Sequence, residues 1–397
     1  MRSFYRAIDC VELTCAKIVS TDDYMPMAIA SLEEYENVVS ISWYKPERQP
    51  SEIQFPCVFP FSKMYPLCCL DIRNFLNKYY IFSDEYFKQQ SIIDSSVKDS
   101  LDELLCYQVC RNLVEKLKSM YLGQIVQILI NLEHFEFVCC ELEKLLGARI
   151  NGGLGTVEGE SAEEQPTVTL KATSSFLAGK KTAEKRIFEL VNSKIDDLVE
   201  TAEYNWSARQ PSQTPSLYLQ EMTRFLSNIM GSTLLGLPKD IRGLIYFDAL
   251  SHLASSILKL PLSNVVKSIS PAAVTDLDTD VRFLQGFVDA LPGTGAGVGG
   301  VGGVFEELRQ TVDLLVKVAK EGEGAAEEFY DVGVRMRRYA AVDPLHGPVL
   351  VEKVVIGKAK AAEGKEVGAR GSGEGVSGGL GGIKGMAGKV GWGKREG

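Results

Sequence analysis

From residue 64 onward, apolar residues recur at spacings of three and four with almost no period-two alternation, and this periodicity limits the chain to helices packed on helices. Ile93, Val97, Leu101, Leu104, Leu113 and Leu117 predict one long helix over 84–118, with Ser83 and Asp84 as its expected caps. Two shorter apolar stretches follow, 122–131 and 133–146, and Gly147 supplies a C-terminal stop. The short connections imply antiparallel packing. Ahead of residue 64 the pattern differs. Pro26, Pro46, Pro50, Pro56 and Pro60 exclude long helices, so 1–63 reads as an irregular lead-in with one short helix near 32–39.

Gly, Glu, Thr and Ser dominate 151–165, a composition with little to bury. A flexible linker over 151–180 is therefore expected between a first helical lobe, 64–150, and a second, 181–356. In the second lobe Ile187, Leu190, Val191, Ile195, Leu198 and Ala202 predict a helix over 182–206. Ser216 is placed to cap a helix running to 235, Pro238 to open one running to 260, and Pro271 to open one running to 290. The Gly-, Val- and Ala-rich stretch 292–303 reads as a flexible insertion ahead of a helical pattern over 305–320. The segment 357–397 holds 15 glycines, with eight Lys and Arg against four Glu, and reads as a disordered Gly/Lys-rich tail. The fold class is all-α, as elongated stacked helical bundles in two lobes.

A formal net charge of −9 argues against sequence-independent nucleic-acid binding, which needs a basic surface to displace counterions. No secretory signal and no long uncharged apolar span are evident, so the nine cysteines, all within 10–140, are expected as reduced cytosolic thiols. Cys106 and Cys110 lie one helical turn apart, near Cys139, Cys140 and His134. Two helices bearing such residues can hold zinc. Against that reading, there is no C-x-x-C pair, and the adjacent thiols of Cys68/Cys69 and Cys139/Cys140 point apart on a helix. Small buried hydrophobes are the preferred reading. Gly295, Gly297 and Gly300 satisfy G-x-G-x-x-G only because glycine is so dense there, and a helix rather than a strand precedes them. His252, one turn after Asp248, reads as a hydrogen-bonded core histidine; no convergent oxyanion donors accompany it. No catalytic residue, cofactor or metal is assigned, and the protein is expected not to be an enzyme.

The helix opened by Pro271 carries the one candidate site. Val274, Leu277, Val281, Leu284 and Val288 form an apolar stripe for the interior, whereas Phe283 and Phe287 lie away from it with Asp276 and Asp280 on their side. Aromatic anchors flanked by acids suit an outward protein contact. The competing reading is that another helix of the bundle covers the two phenylalanines.

Several segments together resemble the exocyst subunit family Sec-fifteen. These are DDYMPMAIASLEEYENVV at 22–39, FPCVFPFS at 55–62, LVNSKIDDLVETAEYNW at 190–206, YLQEMTRFLSNIM at 218–230, LGLPKDI at 235–241, IYFDALSHLASSIL at 245–258 and ISPAAVTDLDTDVRFLQGFV at 269–288. Their order and spacing carry the likeness, which spans 6–354 and corresponds to the family's C-terminal half. DPLHGPVLVEKV at 343–354 resembles its closing helix, and nothing beyond Gly357 resembles the family. The resemblance implies a non-enzymatic, all-helical subunit of the vesicle-tethering exocyst. It also implies a cytoplasmic protein, recruited to secretory vesicles and plasma-membrane exocytic sites, that binds other exocyst subunits and a GTP-loaded Rab. A Rab's switch surface is ordered only with GTP, so Asp276, Asp280, Phe283 and Phe287 become the expected Rab contact. A helical scaffold outside vesicle traffic, or a zinc or thiol enzyme, are the alternatives.

Overall fold

The computed structural model describes residues 14–46, 49, 52–86, 90–153, 168–291 and 303–370. Among them the β-structure is one antiparallel pair of two-residue strands, β1 (Ala28–Ile29) and β2 (Cys57–Val58), with Ala28 opposite Val58. Nearly everything else regular is helical, in agreement with the all-α expectation.

The lead-in is irregular but firmly attached. It holds a helical stretch at 14–21 besides the one expected short helix, α1 (Leu32–Ile41), which starts at Ser31, whose hydroxyl accepts from Glu34 N at 3.3 Å. Asp22 Oδ1 accepts from Met64 N at 3.1 Å, so the lead-in supplies the cap of α2 (Met64–Tyr86). Asn131 ties it down further: Oδ1 accepts from Ser62 N at 3.0 Å, and Nδ2 donates to Ser62 Oγ at 2.8 Å.

The expected helix over 84–118 is divided differently. Ser83 and Asp84 sit in the last turns of α2 and not at a helix start, because the apolar run from Met64 already sustains a helix to Tyr86. α3 (Gln90–Glu103) continues through a π-helical stretch, Leu104–Arg111, into α4 (Asn112–Lys116). Val97, Leu101, Leu104, Leu113 and Leu117 are all buried, as the spacing requires. The two helices expected over 122–146 are one, α5 (Leu122–Gly153), of 32 residues. Gly147 does not stop it. A glycine inside a helix costs about 1 kcal/mol, too little to outweigh burial of Phe135, Val138, Leu142 and Leu146 on the same helix.

The largest departure is α6 (Lys171–Glu200), which makes 171–180 of the expected linker helical. Its caps are remote in sequence. Ala172 N donates to Asp102 Oδ1 at 3.0 Å, Leu170 N to Glu143 Oε1 at 2.7 Å, and Thr173 Oγ1 to the same oxygen at 2.8 Å. Carboxylates from α3 and α5 thus satisfy the free N–H groups that open α6. The linker residues 154–167 lie outside the described residues. α6 packs along α5 and the π-helical stretch on one side and against later helices on the other. Its Phe176, Ile187, Val191 and Ile195 join one continuous buried cluster. The two sets of helices therefore share α6.

Beyond α6 come α7 (Leu217–Asn228), a π-helical turn at Ile229–Thr233, α8 (Lys239–Leu262) and α9 (Pro271–Asp289). Pro271 occupies the first turn of α9, and Ser270 Oγ accepts from Ala273 N at 3.2 Å. α10 (Glu306–Glu321), α11 (Glu323–Tyr330), α12 (Val332–Arg338) and α13 (His346–Arg370) complete the order. α13 carries helix through 357–370, the start of the expected tail; 371–397, and 292–302 of the expected insertion, lie outside the described residues. α13 crosses the segment before α9 at Gly357, where a Cβ would stand 2.0 Å from Ile269 O, and Ile269 N donates to Lys353 O at 2.8 Å. Only glycine permits this approach.

Candidate partner-binding surface

On α9 the stripe Val274, Leu277, Val281, Leu284 and Val288 is buried throughout. Phe283 and Phe287 are half-buried and rest on the edge of the same cluster. Asp276 is half-buried, while Asp280 is only 1% exposed. Asp280 is therefore not on an outward face with the two phenylalanines. Asp280 is covered by the non-helical segment 201–216.

That segment is held by carboxylates. Asp280 Oδ1 accepts from Ser216 N at 2.7 Å, and Oδ2 accepts from Ser216 Oγ at 2.6 Å and from the Tyr204 hydroxyl. The Tyr204 and Tyr218 hydroxyls meet at 3.1 Å, and Tyr204 stacks on Trp206. Four residues earlier on α9, Asp276 Oδ1 accepts from Ser212 N at 2.6 Å. Ser216 is the residue before α7, as expected, but its hydroxyl is spent on Asp280 and does not cap that helix. Burial pushes the phenols of Tyr204 and Tyr218 up from their ordinary range, so both remain protonated donors. Burial also raises the Asp276 carboxyl, and the neighbouring Asp280 charge adds to the shift. Every oxygen of Asp280 is engaged by a donor, which makes it a structural anchor. The outer side of α9 keeps Phe283, Phe287, Asp276 and the Arg282–Asp278 ion pair of 2.9 Å.

Tyr204 and Ser216 were not among the expected site residues. Neither belongs to a periodic pattern. The only hint in the sequence is that two acids one turn apart, Asp276 and Asp280, project on the side of α9 that the apolar stripe does not use.

The other candidates resolve as packing. His134 lies against the rings of Tyr44, Phe61 and Tyr65 and lines a cleft of about 680 Å³ with Tyr35, Phe59 and Phe137. Burial lowers its pKa to about 4. Cys110 and Cys139 are buried; burial pushes Cys110 up to about 12 and raises Cys139 as well. Cys106 Sγ lies 3.4 Å from Ser175 Oγ. Among the described residues no group of three His, Cys, Asp or Glu is placed to hold a metal ion. His252 pairs with Asp196 through Nε2 at 2.7 Å rather than with Asp248, which instead accepts from Asn192 Nδ2 at 2.8 Å. Packing of α8 on α6 offers both residues partners across the interface. Gly295, Gly297 and Gly300 lie outside the described residues. No described helix is long and apolar enough to cross a membrane.

The arrangement is matched by known proteins. A family model described as exocyst complex subunit Sec15 C-terminal matches residues 10–353. The exocyst complex component sec15 of Schizosaccharomyces pombe is 29% identical over 327 residues, covering 81% of this chain and 40% of the relative. Exocyst complex component 6 of Rattus norvegicus is 27% identical over 340 residues, covering 85% and 40%. The chain thus spans about 40% of the length of these relatives. The crystal structure of the Sec15 C-terminal domain superposes with a TM-score of 0.52 at 20% identity, over 79% of this chain and 97% of that one, which establishes the shared fold. With the family model matched across nearly all of its helices, this chain belongs to the exocyst complex subunit Sec15 C-terminal family.

Proposed function

We propose that the protein is a non-enzymatic subunit of the exocyst vesicle-tethering complex, assembling with other exocyst subunits and binding a GTP-loaded Rab on secretory vesicles. The family match over residues 10–353 carries the reading. The structure supports it through the polar groups that a catalyst would need, which are committed to packing: Asp280 to three donors, His252 to Asp196, and the thiols of Cys110 and Cys139 to the interior. Membrane contact is then peripheral, made through partners at vesicles and exocytic sites, and nucleic acid is not a ligand. In this reading 64–150 and 181–356 act as two lobes on one shared helix.

The Rab contact is assigned to the outer side of α9, at Phe283, Phe287 and Asp276. Asp280 supports that surface from beneath. The test is recovery of other exocyst subunits on the tagged protein, followed by capture on immobilised Rab loaded with GTP or GDP. Capture dependent on GTP and weakened about tenfold or more by Phe283→Ala or Phe287→Ala, with unchanged unfolding, is expected. Failure to recover any exocyst subunit overturns the function. Undiminished capture by both variants overturns the surface alone.

A further inference from the structure

The segment 201–216 has no helix or strand between Ala202 and Ser216, and residues 209–214 are exposed without interruption. Pro211 and Pro215 fix their own φ angles and bias the residues before them to extended backbone. Thr214 precedes Pro215 and is exposed. Its backbone is engaged, since N donates to Ser212 Oγ at 3.3 Å and O accepts from Ser212 Oγ at 3.0 Å. Its own hydroxyl makes no hydrogen bond among the described residues. The sequence contains two Ser/Thr-Pro pairs, and the other hydroxyl, on Ser270, is 6% exposed and occupied as the cap of α9.

We propose that Thr214 is a phosphorylation site for a proline-directed Ser/Thr kinase, and that its phosphate releases the 201–216 segment from α9. Thr214 Oγ1 attacks the γ-phosphorus of ATP, the bond to the β-phosphate oxygen breaks with its electron pair leaving on ADP, and the hydroxyl proton passes to the kinase's carboxylate base. An exposed, non-helical segment with proline after the acceptor is the kind of substrate such kinases take.

The consequence follows from where the clasps are. Thr214 lies midway between Ser212, held by Asp276, and Ser216, held by Asp280. The new group carries about −1.5 to −2 charge at neutral pH and enters next to two carboxylates. Asp276 already feels the charge of Asp280. A phosphate near a helix N-terminus is ordinarily favourable, and Thr214 precedes α7. Here Asp280 already supplies negative charge to that terminus, so repulsion between the phosphate and two acids is the larger effect. Within 201–216 Arg209, five positions away, is the one Lys or Arg that could offset the added charge. The release does not depend on which partner meets the outer side of α9.

The test uses the whole chain, a purified mitogen-activated protein kinase and ATP, with site assignment by mass spectrometry and hydrogen exchange of the segment before and after. Phosphate on Thr214, lost in Thr214→Val, and amide exchange at Ser212 and Ser216 accelerated about tenfold, is the expected result. Thr214→Val itself must exchange like the unmodified protein, which separates the charge effect from loss of the hydroxyl. No incorporation at Thr214 overturns the site. Incorporation with unchanged exchange at both amides overturns the release.

Discussion

Replacing Asp280 by alanine removes the acceptor that three donors share: Ser216 N at 2.7 Å, Ser216 Oγ at 2.6 Å and the Tyr204 hydroxyl. Hydrogen bonds to a charged group contribute about 1.5–3 kcal/mol each. The variant no longer buries a carboxylate, which returns several kcal/mol and leaves a net loss of about 3–5 kcal/mol. Asp280→Asn keeps the shape and one good acceptor, and the two hydroxyls can rotate toward the new amide, so about 1–2 kcal/mol is expected. Urea unfolding followed by circular dichroism measures both, with the midpoint falling in the order wild type, Asn, Ala at constant slope. Tyr204→Phe in the Asp280→Ala background should cost less than it does alone, because the pair no longer interacts. Equal midpoints for wild type and Asp280→Ala, or strict additivity with Tyr204→Phe, would refute the assignment of Asp280 as the anchor.

His134 should make the fold acid-sensitive. Its pKa is about 4 in the folded protein and near 6.5 when unfolded, so below pH 6.5 the unfolded chain binds more protons and stability falls, by roughly 2–3 kcal/mol on reaching pH 4. The stability difference between wild type and His134→Phe should therefore change across that window and be constant above it; a constant difference throughout would contradict the burial argument. Gly357→Ala should destabilise by about 1–3 kcal/mol or more, since its Cβ meets Ile269 O, whereas Gly147→Ala should stabilise by up to about 1 kcal/mol, its Cβ meeting nothing within 4 Å. Denaturant melts of the pair decide, and equal effects would count against the crossing of α13. Native-state titration with a thiol reagent should label the half-exposed Cys57, Cys106 and Cys140 first and Cys68, Cys69, Cys110 and Cys139 slowly, with all reacting in denaturant and no zinc released. Stoichiometric zinc would revive a metal-binding reading.

Helices announced by local chemistry were legible. Ser270 and Pro271 mark the start of α9, and its stripe from Val274 to Val288 is buried as its spacing indicates. α6 was only partly legible because its opening is capped by Asp102 and Glu143, residues whose proximity to Lys171 exists only after folding. The continuity of α5 through Gly147 was misread for a related reason, since a local stop signal of about 1 kcal/mol competes with packing that involves the whole helix. At the candidate site, the sides of α9 could be derived from its sequence. The burial of Asp280 could not, because its cover is a segment with no period to read.

α6 carries a mechanical consequence for a protein proposed to act as a tether. A pull applied between the helices before residue 153 and those after residue 217 passes mainly through a single 30-residue element, with the smaller contact of α5 on the turn Ile229–Thr233 beside it. Because α5 lies along it, that load meets the interface sideways, as shear spread over many side chains at once, and not as a peeling force that opens one contact at a time. The weak points under tension are then the separate clasps at the periphery, such as the crossing at Gly357 and the carboxylate grips on 201–216, which would yield before the central pair slides.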